Sequence, residues 1–417
     1  MPAQVQQASA GIGRQLWLPL RSRQSAAAPW LAAAIVAVIA AAAAFARIIN
    51  LGHGAPGFLI DAGRTYGNPA HLPAGVPVHP GSGYDGQFMY RLAQDPFDLR
   101  LHAPGIRLDN AFRLGRIGYP LVAWLLSFGG QTVLVPTALL LVGIGALAAL
   151  AAIGATQARA HGLAWGWGLL ICWPGLLFST DFDLAEPLEV VLVVAGFLAL
   201  RRGRSAWAST ALSLAVLTRE TAVIAVIAVA FWRVPQLRRR RVSTADLAWT
   251  VPLLVFAGWQ LICRAVTGQL PLTSDAGANS QAPFTGIVEA WSHWKRIAEH
   301  HPFEAGLHAV ELSVLVLIAV AAIVVVAVRL AKRESRADEQ SPDEPWSLGL
   351  VLGVAFACCL SVAVWASSSD LRMFADTYAL AALILLSRRP SRAVLGAWAL
   401  SLTGLAAAVT VYWAQVV

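Results

Sequence analysis

Residues 29–49 read PWLAAAIVAVIAAAAAFARII, an apolar run whose single charge, Arg47, stands near its end. A helix needs about 20 apolar residues to cross the hydrocarbon core of a bilayer. The run is too long for the apolar region of a signal peptide, and no convincing cleavage site follows it. It therefore predicts a retained transmembrane helix, and with it an integral membrane protein.

The composition of the whole chain agrees with that class. Hydrophobic residues make up 57% of the 417 residues and charged residues only 13%, with a mean hydropathy of +0.62. A soluble domain of this length does not need so much apolar surface, and the alternating segments of an outer-membrane barrel are absent. We expect an all-α polytopic transmembrane bundle of about 10–12 spans with a long first outer loop.

Further apolar runs place the remaining spans. These are residues 132–156, 162–179, 184–200, 246–266, 307–330, 346–366, 373–388 and 393–414. Residues 205–217 and 220–232 are each too short to cross and lie between two basic segments, so they predict a broken re-entrant hairpin. Such backbone is tolerated only where protein or a water-filled cavity surrounds it. The sequence TRET at the tip, residues 218–221, is therefore expected to face a cavity.

Basic residues set the orientation. Most of the 31 Lys and Arg residues lie in short connectors between apolar runs: residues 14–23, Arg159, residues 201–204, 233–241, 329–336 and 388–392. By the positive-inside rule these connectors are cytoplasmic, with anionic membrane lipids as their partner rather than nucleic acid. We expect a multi-pass plasma-membrane protein with a cytoplasmic N-terminus (1–28), a membrane core (29–266) and a C-terminal region (267–417).

This orientation puts two loops, residues 50–131 and 267–306, outside the membrane. The apolar piece at residues 117–128 begins outside, and the span after it must begin outside too. It therefore cannot cross, and its length suits a surface or re-entrant helix.

The first outer loop contains the sequence YDGQFMY at residues 84–90. Asp85 is an aromatic-flanked carboxylate that suits a general base, because it is expected to be ionised at neutral pH. Tyr84 and Tyr90 offer rings for a sugar, and Gln87 offers an amide for its hydroxyls. The alternative is that Asp85 only caps a helix that begins at Gln87.

Two arginines of the same loop predict an anion site. Arg113 and Arg116 share one face of a helix at the membrane surface, and guanidinium suits bidentate contact with phosphate. The alternative is that they anchor the surface helix to ordinary lipid headgroups. Arg372, after the last short outer turn, is a further candidate for phosphate binding.

Charged residues in two other places are also candidates for substrate binding. Asp181, Asp183 and Glu186 put three acids into one short outer turn, where exposed acids are also common without a function. Arg219 and Glu220 lie at the hairpin tip, and a charge at membrane depth is usually retained for a site or a partner. The alternative for these two is a structural ion pair.

Several familiar sites are not supported. The sequence has no phosphate loop, no dinucleotide glycine pattern and no zinc-protease helix motif. The four cysteines, Cys172, Cys263, Cys358 and Cys359, fall inside apolar runs, where they are typical of small buried hydrophobes.

Residues 84–88, 113–120 and 217–221, together with the loop acid and the many spans, resemble the GT-C superfamily of membrane glycosyltransferases. More narrowly, they resemble a group of uncharacterised bacterial membrane proteins whose layout is similar to that of mannosyltransferase-like members. The resemblance is strongest over the first 230 residues. It implies that a hexosyl group passes from a polyprenyl-phosphate donor to the hydroxyl of a lipid or glycan acceptor on the outer face.

The resemblance also implies roles for residues. The loop acid of the superfamily maps onto Asp85, which would be the base, and the second acidic position maps onto Asp181, Asp183 or Glu186. Arg113, Arg116, Arg219 or Arg372 would stabilise charge on the leaving phosphate. The first loop lacks an Asp-x-Asp or Glu-x-Asp pair, so no cofactor is certain and a divalent cation stays open.

Three other functions remain as alternatives. A transporter or flippase of lipid-linked sugars would bind the same donor without breaking a bond, and predicts charges at mid-bilayer and an inverted repeat. A surface-polysaccharide polymerase or ligase would favour a large late outer loop with arginines. A structural scaffold would need no chemistry at the Asp85 loop.

Overall fold

The computed structural model describes residues 26–239, 241–274, 279–333, 344–366, 372–388 and 390–416, and these residues are mostly helical. The basic segment 14–23, most of the predicted cytoplasmic N-terminus, parts of the segment 329–336, and the outer turn 367–371 lie outside the described residues. The fold is therefore helical, as the composition predicts.

The helices follow one another along the whole described chain. In order they are α1 (Ala28–Asn50), α2 (Gly86–Gln94), α3 (Gly118–Leu126), α4 (Val135–Ala160), α5 (Pro174–Asp181), α6 (Glu186–Arg201), α7 (Ser205–Thr218), α8 (Ala222–Arg238), α9 (Leu247–Thr267), α10 (Thr285–His300), α11 (Pro302–Arg333), α12 (Glu344–Ala357), α13 (Val362–Trp365), α14 (Ala375–Ser387) and α15 (Arg392–Val416). In the first loop, β1 (Ala62–Gly63) pairs in parallel with β2 (Val78–His79).

Within the part of the chain that the structure describes, three segments are long and apolar enough to cross a membrane. They are Ala28–Asn50, Val135–Ala160 and Thr244–Thr267, and they coincide with the predicted spans 29–49, 132–156 and 246–266. Helices Ser205–Thr218 and Pro345–Ala357 are apolar but shorter. Three of the predicted spans are therefore present as helices that could cross a membrane, and the expected total of about 10–12 spans stays a prediction.

Helix α1 shows why such a segment suits lipid. It buries a stripe of residues four apart, Ala32, Val36, Ala40 and Ala44 among them, against the rest of the fold. The other face carries large apolar side chains such as Trp30, which is 77% exposed. A helix that is apolar all round is typical of a membrane span, because exposed apolar area of this kind is unfavourable in water.

The packed interior lies where α1, α4, α6, α7, α8 and α14 meet. The ring of Trp173 lies 4.6 Å from that of Tyr378, centroid to centroid. The Tyr378 hydroxyl donates to the Leu170 carbonyl, and Trp398 Nε1 donates to the Tyr378 hydroxyl. A second apolar cluster, with Phe88, Tyr90 and Tyr119, lies beneath the first loop and fixes that loop to α3 and α4.

The span predicted at 162–179 is wrong as a single helix. The structure has a 3-10 helix (Trp165–Ile171) followed by the short α5. Pro174 begins the new helix, as proline does at a first turn. Gly168 also lies against the backbone of Gly154 so closely that an added Cβ would stand 2.1 Å from the Gly154 carbonyl carbon. This contact holds the irregular segment against α4.

The span predicted at 346–366 is likewise broken, into α12 and α13. The Cys358 and Cys359 carbonyls accept hydrogen bonds from the backbone amides of Phe284 and Gln281, and the Ser361 amide donates to the Asn279 carbonyl. Backbone groups that bond to a neighbouring loop cannot continue an α-helix. The loop 267–306 thus packs into the break.

Two irregular features agree with the sequence. Helix α3 is only nine residues long, which is too short to cross a bilayer. Helices α7 and α8 are separate, and Arg219 between them is extended at φ −159° and ψ 141°. The hairpin is therefore broken at the predicted tip.

Candidate functional site

The loop before α2 is held in place by Gln87. Its Nε2 donates to the Ser82 and Tyr84 carbonyls at 2.7 and 2.9 Å, and its Oε1 accepts from the Gly63 amide at 3.2 Å. The side chain is buried. Gln87, predicted to bind substrate, instead has its polar atoms engaged in shaping the loop.

Asp85 occupies the N-cap position of α2 but makes no capping hydrogen bond with its side chain. Its carboxylate points to three arginines. Its oxygens lie 2.8 Å from Arg113 Nη1, 3.6 Å from Arg116 Nη1 and 3.3 Å from Arg372 Nη2. The helix-cap alternative thus accounts for the position of Asp85 but not for the direction of its side chain.

Each of these arginines also has a second carboxylate of its own. Arg113 pairs with Asp109 and Arg372 with Glu186, at 2.8 and 2.9 Å between the nearest atoms. Arg116 holds Glu220 through two bonds of 2.7 and 3.0 Å. The second partner fixes each guanidinium, so that the three groups keep a common orientation towards Asp85. We call Arg113, Arg116 and Arg372 the arginine triad.

The 3-10 helix Ala111–Arg116 brings two triad members together. Asn110 caps it by accepting from the Phe112 amide, and the short helix puts Arg113 and Arg116 one turn apart. Arg113 lies over the Phe88 ring at 4.6 Å and Arg116 over the Phe112 ring at 4.6 Å. Stacking of this kind suits guanidinium and leaves its N–H groups to the carboxylates.

Tyr84 lines the same place. Its ring packs against Phe178 and Phe182, and the Arg372 guanidinium lies 5.1 Å above it. Gly86, two residues after Tyr84, comes so close to the turn between α5 and α6 that an added Cβ would stand 2.4 Å from the Phe182 carbonyl oxygen. This close approach ties the Asp85 loop to the start of α6, where Glu186 lies.

Arg219 stands behind the triad rather than in it. Only 1% of its side chain is exposed, and it lies 3.4 Å from Glu189 and 3.7 Å from Glu186. Its Nη2 also reaches the Met373 sulfur. Glu220, in contrast, is partly exposed and pairs with Arg116. The two tip residues thus contact different partners, and the alternative of an ion pair between Arg219 and Glu220 is replaced by ion pairs with other helices and loops.

Burial raises the pKa of Asp85, but Arg113, Arg372 and Arg116 outweigh burial and hold that pKa below its ordinary value. A carboxyl group of this kind stays ionised throughout the neutral range. It is also a weaker base than an ordinary aspartate while all three arginines face it. Asp85 would therefore become a stronger general base only once another anion had replaced its carboxylate beside the three arginines.

Three predicted site residues lie away from the triad. Tyr90 is fully buried in the apolar cluster beneath the loop. The Asp181 carbonyl accepts from Arg47 Nη1, whose guanidinium stacks on Phe182 at 4.0 Å. Asp183 is buried at φ +52°, and within the described part of the chain its carboxylate oxygens have no hydrogen-bond partner.

Sequence reasoning missed Asp109 and Glu189. Asp109 lies four residues before Arg113, a spacing that predicts an ion pair on a helical turn, and could have been found. Glu189 sits one turn after Glu186 inside an apolar helix, where a buried acid signals a hidden partner. It accepts a hydrogen bond from the Thr221 hydroxyl and thereby links α6 to the hairpin.

Among the described residues, no group of three or more His, Cys, Asp or Glu side chains is arranged to hold a metal ion. The site instead combines fixed cations with one shared, partly exposed carboxylate. This arrangement can bind an anionic group, stabilise added negative charge on it and place a carboxylate beside it.

The chain was also compared with known proteins. No family model, no curated protein and no solved structure matches it.

Proposed function

We propose that this chain is a polytopic membrane glycosyltransferase of the GT-C type. It would transfer a hexosyl group from a polyprenyl-phosphate donor to a hydroxyl of a lipid or glycan acceptor on the outer face of the plasma membrane. The observation that carries the proposal is the arginine triad around Asp85. Fixed guanidinium groups are suited to a phosphate, and a neighbouring carboxylate is suited to a hydroxyl proton.

The position of the site supports an outer-face reaction. Glu186 begins α6 at the site, whereas Arg201 and the basic connector after it stand at the other end of that 16-residue helix. The two ends are about 24 Å apart at a rise of about 1.5 Å per residue. If the basic connector is cytoplasmic, as the positive-inside rule predicts, the triad faces outward.

The chemistry can be written with the residues present. The acceptor oxygen attacks the anomeric carbon of the sugar, and its proton passes to Asp85. The bond between that carbon and the phosphate oxygen breaks, and the electron pair leaves with the lipid phosphate. Arg113, Arg116 and Arg372 stabilise the negative charge that develops on the leaving lipid phosphate. They are already oriented and need little reorganisation.

A lipid-linked donor fits better than a nucleotide sugar. The described residues between the helices form short connectors and two loops, with no nucleotide-binding fold among them. The isoprenoid tail would lie in the bilayer beside the apolar faces of the helices, which brings the phosphate to the membrane surface. Tyr84 offers a ring next to the triad on which a sugar can stack.

The test is a transfer assay with the full-length protein in lipid vesicles. Polyprenyl-phosphate donors with different radiolabelled hexoses are mixed with a membrane extract from the source cells as acceptor. We expect label to move from the donor to the extract. Label that crosses the membrane while still joined to its lipid would overturn the proposal in favour of a transporter or flippase.

Arg372→Gln provides the matched variant. Loss of one fixed donor to the developing charge is expected to lower turnover on the order of 10²–10³-fold. Arg91→Gln is the control, because Arg91 is as buried as Arg372 but lies in α2 and pairs with Asp98. If both variants transfer sugar equally well, the triad does not serve the reaction.

A further inference from the structure

Asp85 differs from the other carboxylates of the site because all three triad arginines share it. Asp109, Glu220 and Glu186 each hold one triad member closely. Asp85 lies at the point towards which the remaining N–H groups converge. The three arginines thus form an anion-binding site that the carboxylate of Asp85 already occupies.

We propose that the Asp85 carboxylate occupies the position of the substrate phosphate and that a phosphodiester anion displaces it from the triad. That this phosphodiester is the sugar donor rests on the proposed function. The exchange itself rests on the geometry of the triad. Substrate binding would thus release Asp85 from its ion pairs.

The charges support such an exchange. Asp109, Glu220 and Glu186 each pair with one guanidinium of the triad, Glu186 also lies 3.7 Å from Arg219, and Asp85 adds one further carboxylate. A lipid-linked sugar phosphate is a diester with one negative charge, so the exchange is charge for charge. The Asp85 carboxylate and the phosphate cannot both lie between the three arginines, because two like charges at contact distance repel strongly in a poorly solvated site.

The exchange needs only a side-chain rotation. The Asp85 side chain is 18% exposed, so it has a route to the outer surface. Its backbone is fixed, because the following Gly86 packs directly on the Phe182 carbonyl. The triad is fixed as well, since each guanidinium keeps its second carboxylate. The anion therefore meets a receptor that is already formed.

Displacement would also prepare the base. Away from the triad, the carboxylate loses the charges that hold its proton affinity down and lies beside a bound phosphate, which favours proton uptake. It can then accept the proton of an acceptor hydroxyl as the new glycosidic bond forms. Without donor, Asp85 stays paired and the site does not activate water.

Anion binding to Asp85→Asn tests the proposal. Dimethyl phosphate is the soluble probe, the methyl diester of decaprenyl phosphate in nanodiscs is the lipid probe, and calorimetry gives the dissociation constants. We expect Asp85→Asn to bind both probes at least about ten-fold more tightly than the wild-type protein, because the competing carboxylate of Asp85 is gone. Asp98→Asn is the control, since Asp98 pairs with Arg100 in the same loop and is 17% exposed.

Unchanged or weaker binding by folded Asp85→Asn would overturn the proposal. If that variant does not fold, the wild-type protein supplies the answer through carbodiimide labelling read by peptide mass spectrometry. We expect dimethyl phosphate to increase labelling of Asp85 and leave Asp98 unchanged. Labelling of Asp85 that stays constant or falls would contradict displacement.

The results also separate this proposal from the proposed function. Tighter anion binding by Asp85→Asn together with no sugar transfer by the wild-type protein would support the exchange and overturn the glycosyltransferase. Sugar transfer by the wild-type protein together with unchanged anion binding by Asp85→Asn would support the glycosyltransferase and overturn the exchange. Equal wild-type affinities for both probes would retain the exchange but overturn a lipid-linked ligand.

Discussion

At the level of single residues, the acids of the site differ in their burial and in how many arginines of the triad they contact. Asp85 is shared by the triad and reaches the surface, whereas Glu186 and Glu189 are buried with Arg219. Asp85 is therefore suited to exchange with an anionic ligand, whereas Glu186 and Glu189 are suited to a structural role, because buried ion pairs are costly to break and slow to rearrange.

Arg219 provides a prediction about that structural role. Arg219→Gln leaves Glu189 without its cation and Glu186 with only Arg372, so we expect a loss of unfolding free energy of about 3–5 kcal/mol. Thermal unfolding in detergent measures the loss. Arg238→Gln, at the exposed end of α8, is the control and should melt like the wild-type protein.

Adding Glu189→Gln to Arg219→Gln makes the prediction specific. The second change removes the carboxylate that the first left unpaired, so part of the lost stability should return. If Arg219→Gln is as stable as the wild-type protein but binds dimethyl phosphate poorly, Arg219 belongs to the anion site and the structural role is wrong.

The sequence allowed much of the residue set to be predicted, but not its arrangement. Asp85, the triad and Glu220 all stood out as charges beside apolar runs. Several of their pairings join segments more than 100 residues apart, such as Arg116 with Glu220 and Arg372 with Asp85. No local pattern encodes such a contact. Gln87 and Tyr90 were chosen for their chemistry, and their burial became visible only in the fold.

At the level of elements, close backbone approaches position the site. Gly118 begins α3 directly against the end of α7, where an added Cβ would stand 2.5 Å from Thr218 Oγ1 and 2.8 Å from the Thr218 amide nitrogen. Arg116 precedes this contact and Glu220 follows it. The contact therefore sets the distance between the loop and the hairpin tip.

Gly118→Ala tests this element contact. The added methyl group has to push α3 away from α7, and we expect a cost of about 1–3 kcal/mol together with reduced sugar transfer. Thermal unfolding and the vesicle assay measure the two effects. Gly145→Ala in α4 is the control, because nothing lies within 4 Å of its added Cβ. Equal behaviour of the two variants would mean that the approach at Gly118 does not matter.

Hydropathy predicted most helices but not where two of them break. The long apolar runs at α1, α4 and α9 match their helices closely, since length and composition alone decide such spans. The predictions of single helices at 162–179 and 346–366 are wrong because of tertiary contacts. Close backbone contact with α4 holds the first segment in an irregular shape, and backbone hydrogen bonds with residues 279–284 break the second segment into two helices.

At the level of the whole molecule, the distribution of charge predicts the orientation. The site acids and the triad gather at one end of α6, and basic connectors follow the other end. If the basic connectors are cytoplasmic, much of the positive charge of the chain lies on the cytoplasmic side. The positive-inside rule predicts that the basic connectors lie on the side with anionic lipids, and we then expect the triad on the outer side.

Single-cysteine labelling checks this orientation in intact cells. In a background without the native cysteines, we expect a membrane-impermeant reagent to label Ser82→Cys in the first loop and Ser292→Cys in α10. It should label Thr244→Cys, beside the basic segment before α9, only after lysis. Labelling of Thr244→Cys but not Ser82→Cys in intact cells would reverse the topology and remove the outer-face reaction.

The most direct test of the central claim is sugar transfer by Asp85→Asn at saturating donor, with Asp98→Asn as control. An amide keeps the shape of the side chain but cannot take up the acceptor proton. The account predicts turnover lower by about 10²–10⁴-fold, the range that general base catalysis supplies, while Asp98→Asn transfers normally. Turnover by folded Asp85→Asn that matches the wild-type protein would contradict the claim.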